Sequence, residues 1–382
     1  MNPTKLFKDF FENEKSGGLI LIFCTAISLL LANSFLSHAY VSIWHYTIFL
    51  KPTEFWINDG LMTIFFLLVG LEISREIYVG ELSNVKKSML PVMAAVGGMV
   101  VPAAVHFIFN RGTNTEHGFG IPMATDIAFS LAILSLLGNK VPLSLKVFLT
   151  ALAIIDDLGA IIVIAIFYSK NFSIAFFGFA MLLFAAMLLL NKLKFYKTEV
   201  YLLLGCVMWY CMYRSGIHPT ITGVLLAFAI PFGKGKENFP AYKLQHVLHK
   251  PVALFILPLF AMANTAILFP HEILNDLTST NSLGIGLGLL IGKPLGIFLF
   301  SVIGAAIGLC TIPNDFNKKH LLGAGMLAGI GFTMSIFISL LAFNNKEIID
   351  SSKITVLLAS LLAGIIGYVW LRFTLKEKSQ SQ

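Results

Sequence analysis

The chain has 382 residues, 57% of them hydrophobic and 12% charged, with a mean hydropathy of +0.83. Length alone suits two or three soluble domains, but this hydropathy excludes them and calls for helices of about 20 apolar residues that cross a bilayer. The net charge of +7 is sorted among the loops between apolar runs, which points to membrane topology and not to nucleic acid.

The N-terminal segment 1–16 carries Lys5, Lys8, Asp9, Glu12, Glu14 and Lys15 and has no signal-peptide pattern. Apolar windows then fall near 17–33, 57–80, 88–109, 121–138, 144–169, 172–191, 199–214, 217–232, 247–269, 283–309, 320–343 and 353–373. The expectation is an all-α polytopic membrane protein, one transporter domain of twelve spans over 17–373, with a tail at 374–382. Placing the N-terminus in the cytoplasm puts 20 Lys and Arg on the cytoplasmic side and 6 opposite, with Lys293 left inside span 10. Both termini are therefore expected to be cytoplasmic. Residues 39–50, AYVSIWHYTIFL, are too short to cross and are rich in β-branched and aromatic types; they suit either an extracellular β-hairpin or an interfacial aromatic belt. The four cysteines, Cys24, Cys206, Cys211 and Cys310, lie in apolar runs without metal-type spacing and read as small core residues.

Span 4 contains GIPMATDIAFS (120–130), where Pro122 and the Ala-Thr-Asp after it interrupt regular helix bonding. Span 11 contains GIGFTMSIFIS (329–339), loosened by Gly329 and Gly331 beside Thr333 and Ser335. Each is the middle member of a three-span set, 3–5 and 10–12, and the two sets enter the membrane from opposite sides. Inverted repeats with interrupted helices in matching positions mark a secondary-transporter site near the midplane. Span 10 adds Gly284, Gly288, Gly292 and Gly296 on one helical face, a surface for close helix packing beside Lys293.

Within the spans, deep ionisable groups are few: Asp126 in span 4, Asp156 and Asp157 in span 5 (ALAIIDDLGA, 151–160), and Lys293 in span 10. A charge at mid-membrane costs about 2.5–3.5 kcal/mol on insertion scales, so each asks for a partner or a function. Adjacent helical residues point about 100° apart. One aspartate of the pair can therefore meet Lys293 while the other faces a water-filled cavity. Burial weakens a carboxylate's hold on its charge, so a proton and a small hard cation compete for it. Sodium or lithium would take oxygens from the carboxylates, Thr125 and freed backbone carbonyls. A site of this kind opened alternately to each side yields antiport.

FFLLVGLEISRE (65–76), IPMATDIAFS (121–130), TALAIIDDLGAI (150–161), LLIGKPLGI (289–297) and GIGFTMSIFI (329–338) together resemble the NhaA family of bacterial sodium/proton antiporters, whose inverted-repeat architecture is a known type. The resemblance runs from span 1 to span 12. It implies electrogenic, pH-dependent exchange of Na+ or Li+ for H+ in the bacterial inner membrane, with no cofactor and as a homodimer joined through the 39–56 loop. It also implies that Asp157 with Asp126 binds the ion and that Asp156 pairs with Lys293. Asp59, Glu72, Arg75, Glu76, His218, His246 and His249 match positions tied to ion access or pH response. The family carries an acid where this chain has Gln245 in LQHVLH (244–249). Gln245 supplies no charge to favour protonated His246 and His249, so a different pH setting is expected. A passive sodium channel is the alternative reading, since it could share the acids. Intramembrane enzymes fit less well, because the Asp156-Asp157 pair lacks the flanking motifs of aspartyl proteases and prenyltransferases.

Overall fold

A computed structural model describes the backbone of residues 3–80, 83, 85–169, 172–233, 238–269, 276–313 and 315–375. The expected tail at 374–382 lies outside the described residues beyond Leu375, as do the N-terminal side chains through Lys15. Among the described residues eight helices are long and apolar enough to cross a membrane, and two bent pairs raise this to ten. They correspond to predicted spans 1–6 and 9–12. Predicted span 7 is the helix Thr198–Ser215, whose Glu199, Arg214 and three tyrosines dilute its hydropathy. Predicted span 8 is the nine-residue helix Ile221–Ala229, about 13 Å long at 1.5 Å per residue and short of the bilayer core.

The chain divides into two units, Met1–Phe23 with Asn84–Ala160 and Ile267–Gln382, and Cys24–Ser83 with Ile161–Ala266. The first unit gathers both predicted repeats. Span 3 is the helix Val85–Asn110, which carries Pro91 and Pro102 inside it. Span 4 is broken: a 3-10 segment Glu116–Met123 (4a) is followed by the helix Ile127–Ser135 (4b). Span 5 is Leu143–Phe167, continuing past the unit boundary. Span 10 runs as Thr280–Leu287, a π-helical turn Gly288–Gly292, and Lys293–Ala306. Pro294 has no N–H to offer the preceding turn, and the wider π turn just before it accommodates that loss. Span 11 is also broken, into Lys318–Ala328 (11a) and Phe332–Ala342 (11b), bent by 49°. Span 12 is the unbroken helix Lys346–Thr374.

In the second unit, span 2 passes through a π-helical turn Trp56–Leu61 into the helix Met62–Tyr78. Its residues Phe65–Ser74 are buried, and a side chain at Gly70 would collide with Ala227, so the short helix Ile221–Ala229 lies backbone-close to it. The 39–50 stretch differs from either expectation over its first half. Ser37–His45 is a helix, bent 116° from span 1, because Tyr40 and Trp44 are four apart and bury together with ring centroids 5.7 Å apart. The tyrosine hydroxyl also donates to Ser28 Oγ at 2.9 Å. The predicted hairpin is present but short. Strand β1 (Thr47–Ile48) pairs antiparallel with β2 (Lys51–Pro52). Phe49 and Leu50 at its tip adopt φ of 47° and 66°, as a tight two-residue hairpin turn requires. All four cysteines are free, but Cys206 is exposed and not a core residue.

Candidate functional site

The breaks in spans 4 and 11 leave the ends of four helical segments inside the first unit, and each end needs partners for its unpaired backbone groups. The sequence supplies them reciprocally. Asp126 N–H donates to the carbonyl of Ile330 at 2.7 Å, and Ser335 Oγ donates to the carbonyl of Ile121 at 2.6 Å. Laid over each other, 120–130 and 329–339 set position 121 against 330 and 126 against 335, so the crossing bonds follow the repeat symmetry. The carbonyls at the end of 11a are met from span 4: Ser130 Oγ donates to Leu327 at 2.9 Å, and Thr125 Oγ1 to Ala328 at 2.9 Å.

Asp126 is buried and occupied on both oxygens. Oδ1 accepts from Phe129 N–H at 2.9 Å, the N-cap bond of 4b; Oδ2 accepts from Thr333 N–H at 3.1 Å and Thr333 Oγ1 at 2.5 Å. One carboxylate therefore caps the first turns of both 4b and 11b, where the helix dipoles are positive. Lys293 answers at the opposite pole. Fully buried, its ammonium donates to the carbonyl of Met123, the last residue of 4a, where a cation is favoured. The same ammonium meets Asp156 Oδ2 at 2.7 Å, and Thr125 Oγ1 lies 2.7 Å from that oxygen, its single proton shared between Asp156 and the carbonyl of Ala328. Asp156 Oδ1 is buried with no hydrogen-bond partner among the described residues.

The structure thus brings Asp126, Thr125, Asp156 and Lys293 to one crossing. Asp157 is equally buried on the next position of span 5 and lies close enough for its charge to act on Lys293. Thr333, Ser335 and Ser130 join the crossing as hydroxyl donors; polar residues beside a predicted break are the signal that finds them. Ser360, which accepts from Phe332 N–H at 3.0 Å, has no such signal, since it sits in an unbroken helix. Among the described residues no group of three or more His, Cys, Asp and Glu gathers as a resident metal site would.

The remaining predicted residues lie in the second unit. Asp59 sits in the π turn of span 2, its Oδ1 3.5 Å from His218 Nε2. Its carbonyl accepts from Thr63 Oγ1 at 2.5 Å and Trp209 Nε1 at 3.2 Å, and the widened π turn leaves such carbonyls open to side chains. Glu72 is buried near the end of span 2, and Arg75 pairs with Glu76 at 2.9 Å. Gln245 and His249 both lie on the buried face of the helix Pro240–Pro251, as a four-residue spacing places them. His246 is exposed, so it does not share that face.

The family described as Na+/H+ antiporter 1 matches residues 8–371. The Na(+)/H(+) antiporter NhaA of Flavobacterium psychrophilum is 58% identical over 99% of this chain and 98% of its own length. The NhaA 1 antiporter of Flavobacterium johnsoniae is 59% identical over 98% of each, and that of Cytophaga hutchinsonii 56% identical over 99% and 97%. A solved sodium proton antiporter, MjNhaP1 of Methanocaldococcus jannaschii, covers 97% of this chain and all of its own at a TM-score of 0.57; at 16% identity it shares the fold alone. The chain belongs to the NhaA family of Na+/H+ antiporters.

Proposed function

We infer that this chain is an electrogenic, pH-dependent exchanger that exports Na+ or Li+ in return for H+ by alternating access. It serves sodium and pH homeostasis from the bacterial inner membrane, with both termini cytoplasmic. Asp157 and Asp126 take the ion, helped by Thr125, and Asp156 with Lys293 holds the charge balance. Asp59, Glu72, Arg75, Glu76, His218, Gln245, His246 and His249 set access and pH response. The exchanger works as a homodimer.

The observation that carries this reading is the buried Asp156–Lys293 pair at 2.7 Å set against two broken helices whose dipoles Asp126 caps. Titratable charge held at interrupted helices inside a membrane protein is costly unless it is used in transport. Competition for the same carboxylates couples the two fluxes, because proton and sodium cannot occupy them together.

The test is proton movement driven by an imposed sodium gradient in sealed vesicles. Exchange requires proton flux that reverses with the gradient and needs sodium. Sodium flux without proton counterflow would instead identify a passive channel. In the same vesicles Asp157→Asn keeps the side-chain shape and removes the competing carboxylate. Exchange should then fall to background while insertion and folding persist; normal flux at alkaline pH would remove Asp157 from the site.

A further inference from the structure

His106 is a fully buried histidine that the exchange site does not use. Its Nε2 lies 3.2 Å from Asn281 Oδ1, and Asn281 Nδ2 donates to Ser352 Oγ at 2.8 Å. The serine hydroxyl in turn donates to the carbonyl of Ile348 at 2.6 Å. Because the amide nitrogen of Asn281 is committed to Ser352, its oxygen accepts and His106 Nε2 carries the proton. The chain is directional from end to end and joins spans 3, 10 and 12. Beside it, Asn110 Nδ2 donates to the carbonyl of Thr280 at 3.1 Å. His106, Asn110 and Ser352 have no exposed surface, and Asn281 has 5%.

The surface next to this chain explains why such a device is needed. Spans 3 and 10 run antiparallel and pack backbone-close along four glycines. A side chain at Gly284 would collide with Asn110 and press on His106, one at Gly296 would collide with Gly97 and one at Gly292 would press on Pro102, while Gly288 faces Pro122 of 4a. These notches recur every four residues. A slide of one notch, about 6 Å at 1.5 Å per residue, returns glycine to three of the four positions, so only the fourth, where Thr280 or Phe300 would enter, opposes it. One-turn ratchets of packed helices are an established mode of movement. Lys293 opposes it as well, since such a slide carries it well beyond hydrogen-bond distance of Asp156. The Lys293–Asp156 bond, however, can hold the register only while it is intact.

We propose that the His106–Asn281–Ser352 chain is a register lock that positions Lys293 opposite Asp156 by fixing span 10 against spans 3 and 12. Only one register sets Asn281 between His106 and Ser352; the shifted one leaves three buried polar groups unpaired. A single buried polar contact fixes the register of coiled coils in the same way. These are positioning residues, about 18 Å along span 10 from Lys293. The transport readout rests on the antiporter reading above, whereas the distance readout is independent of it.

The test uses the full chain in liposomes, with the four native cysteines replaced and spin labels at Arg111→Cys and Ile307→Cys at opposite ends of spans 3 and 10. The parent and His106→Gln, whose amide can donate where Nε2 does, should show one separation. His106→Phe fills the volume without a donor and should add a second population displaced by about 6 Å. Exchange at subsaturating sodium should fall about threefold or more in His106→Phe and recover in His106→Gln. In a Lys293→Ala background the Phe substitution should cost no further activity. A single unshifted separation in His106→Phe would overturn the lock even if exchange failed. A loss that Gln does not restore, or one additive with Lys293→Ala, would reduce the chain to a stability element. Should His106→Phe not be recovered from the membrane, Ser352→Ala, which removes one hydroxyl from the chain, is read by the same criteria.

Discussion

Span 4 is interrupted at Ala124–Asp126 and span 11 at Gly329–Gly331, and the two breaks answer each other's open backbone groups from matching positions. Their chemistry is unequal. Span 4 brings a carboxylate, Asp126, and a hydroxyl that reaches Asp156, whereas span 11 brings Thr333, Ser335 and glycine. A repeat that needed only structural closure could have used neutral caps on both sides, as Ser335 does for Ile121. Charge on one side alone lets a single carboxylate hold the positive ends of 4b and 11b together. Under the proposed exchange, a proton or cation taken up at Asp126 would act on both broken helices at once. The symmetry supplies the scaffold, and the departure from it places a charge where the two broken helices meet.

The comparison is tested most severely at Lys293, the cation that meets Asp156 at the charged side of the crossing. Lys293→Ala leaves Asp156 buried without its cation and the Met123 carbonyl without its donor, a loss that can reach about 3–5 kcal/mol. Thermal stability should drop sharply, and charge moved per turnover should decline before exchange itself disappears. A variant as stable as the parent with unchanged charge movement would mean that the pair at 2.7 Å does not stabilise the site.

A middle-sized effect belongs to Thr333, where the neutral break touches the charged one. Thr333→Val removes the hydroxyl bond to Asp126 and keeps the shape, costing about 1.5–3 kcal/mol for a bond to a charged acceptor. Half-saturation for sodium should change with it, while Thr333→Ser should behave as the parent. Equal behaviour of Val and Ser would show that the backbone N–H alone caps Asp126.

Neutral capping sets the lower bound. Ser335→Ala deprives the Ile121 carbonyl of its donor and should cost about 1 kcal/mol, the usual net value of an uncharged bond. Calorimetry of the two variants side by side would decide the matter; a larger loss from Ser335→Ala than from Thr333→Val would reverse the ranking of charged over neutral contacts.

The smallest effect is expected in the second unit. Gln245 shares the buried face of its helix with His249, and a carboxylate there would favour the protonated histidine by charge. Gln245→Glu should move the onset of exchange toward alkaline pH with little change in maximal rate. Coincident rate-against-pH curves for the two proteins at saturating sodium would leave Gln245 without a regulatory role.

Ten of the predicted spans were legible because hydropathy accumulates along the chain and needs no partner to be read. The helices Thr198–Ser215 and Ile221–Ala229 were marginal on that scale because they lean on neighbours, as the close approach at Gly70 shows. In the 39–50 stretch, β-branched and aromatic composition left a hairpin and an interfacial belt equally open, but Tyr40 and Trp44 found buried partners at helical spacing and took its first half into a helix.

For the site, the sequence by itself determined where helices must break and that one aspartate of the pair could meet Lys293. Proline, glycine and the 100° step between neighbours act locally and read directly from the letters. Tertiary structure alone decided which oxygen meets which donor: that Lys293 takes Asp156 together with the carbonyl of Met123, and that Asp126 spends both oxygens on two separate helix ends. It alone set His106 against Asn281 across 175 positions of chain. A hydrogen bond depends on tenths of an ångström between groups remote in sequence, and no local preference of either residue carries that distance.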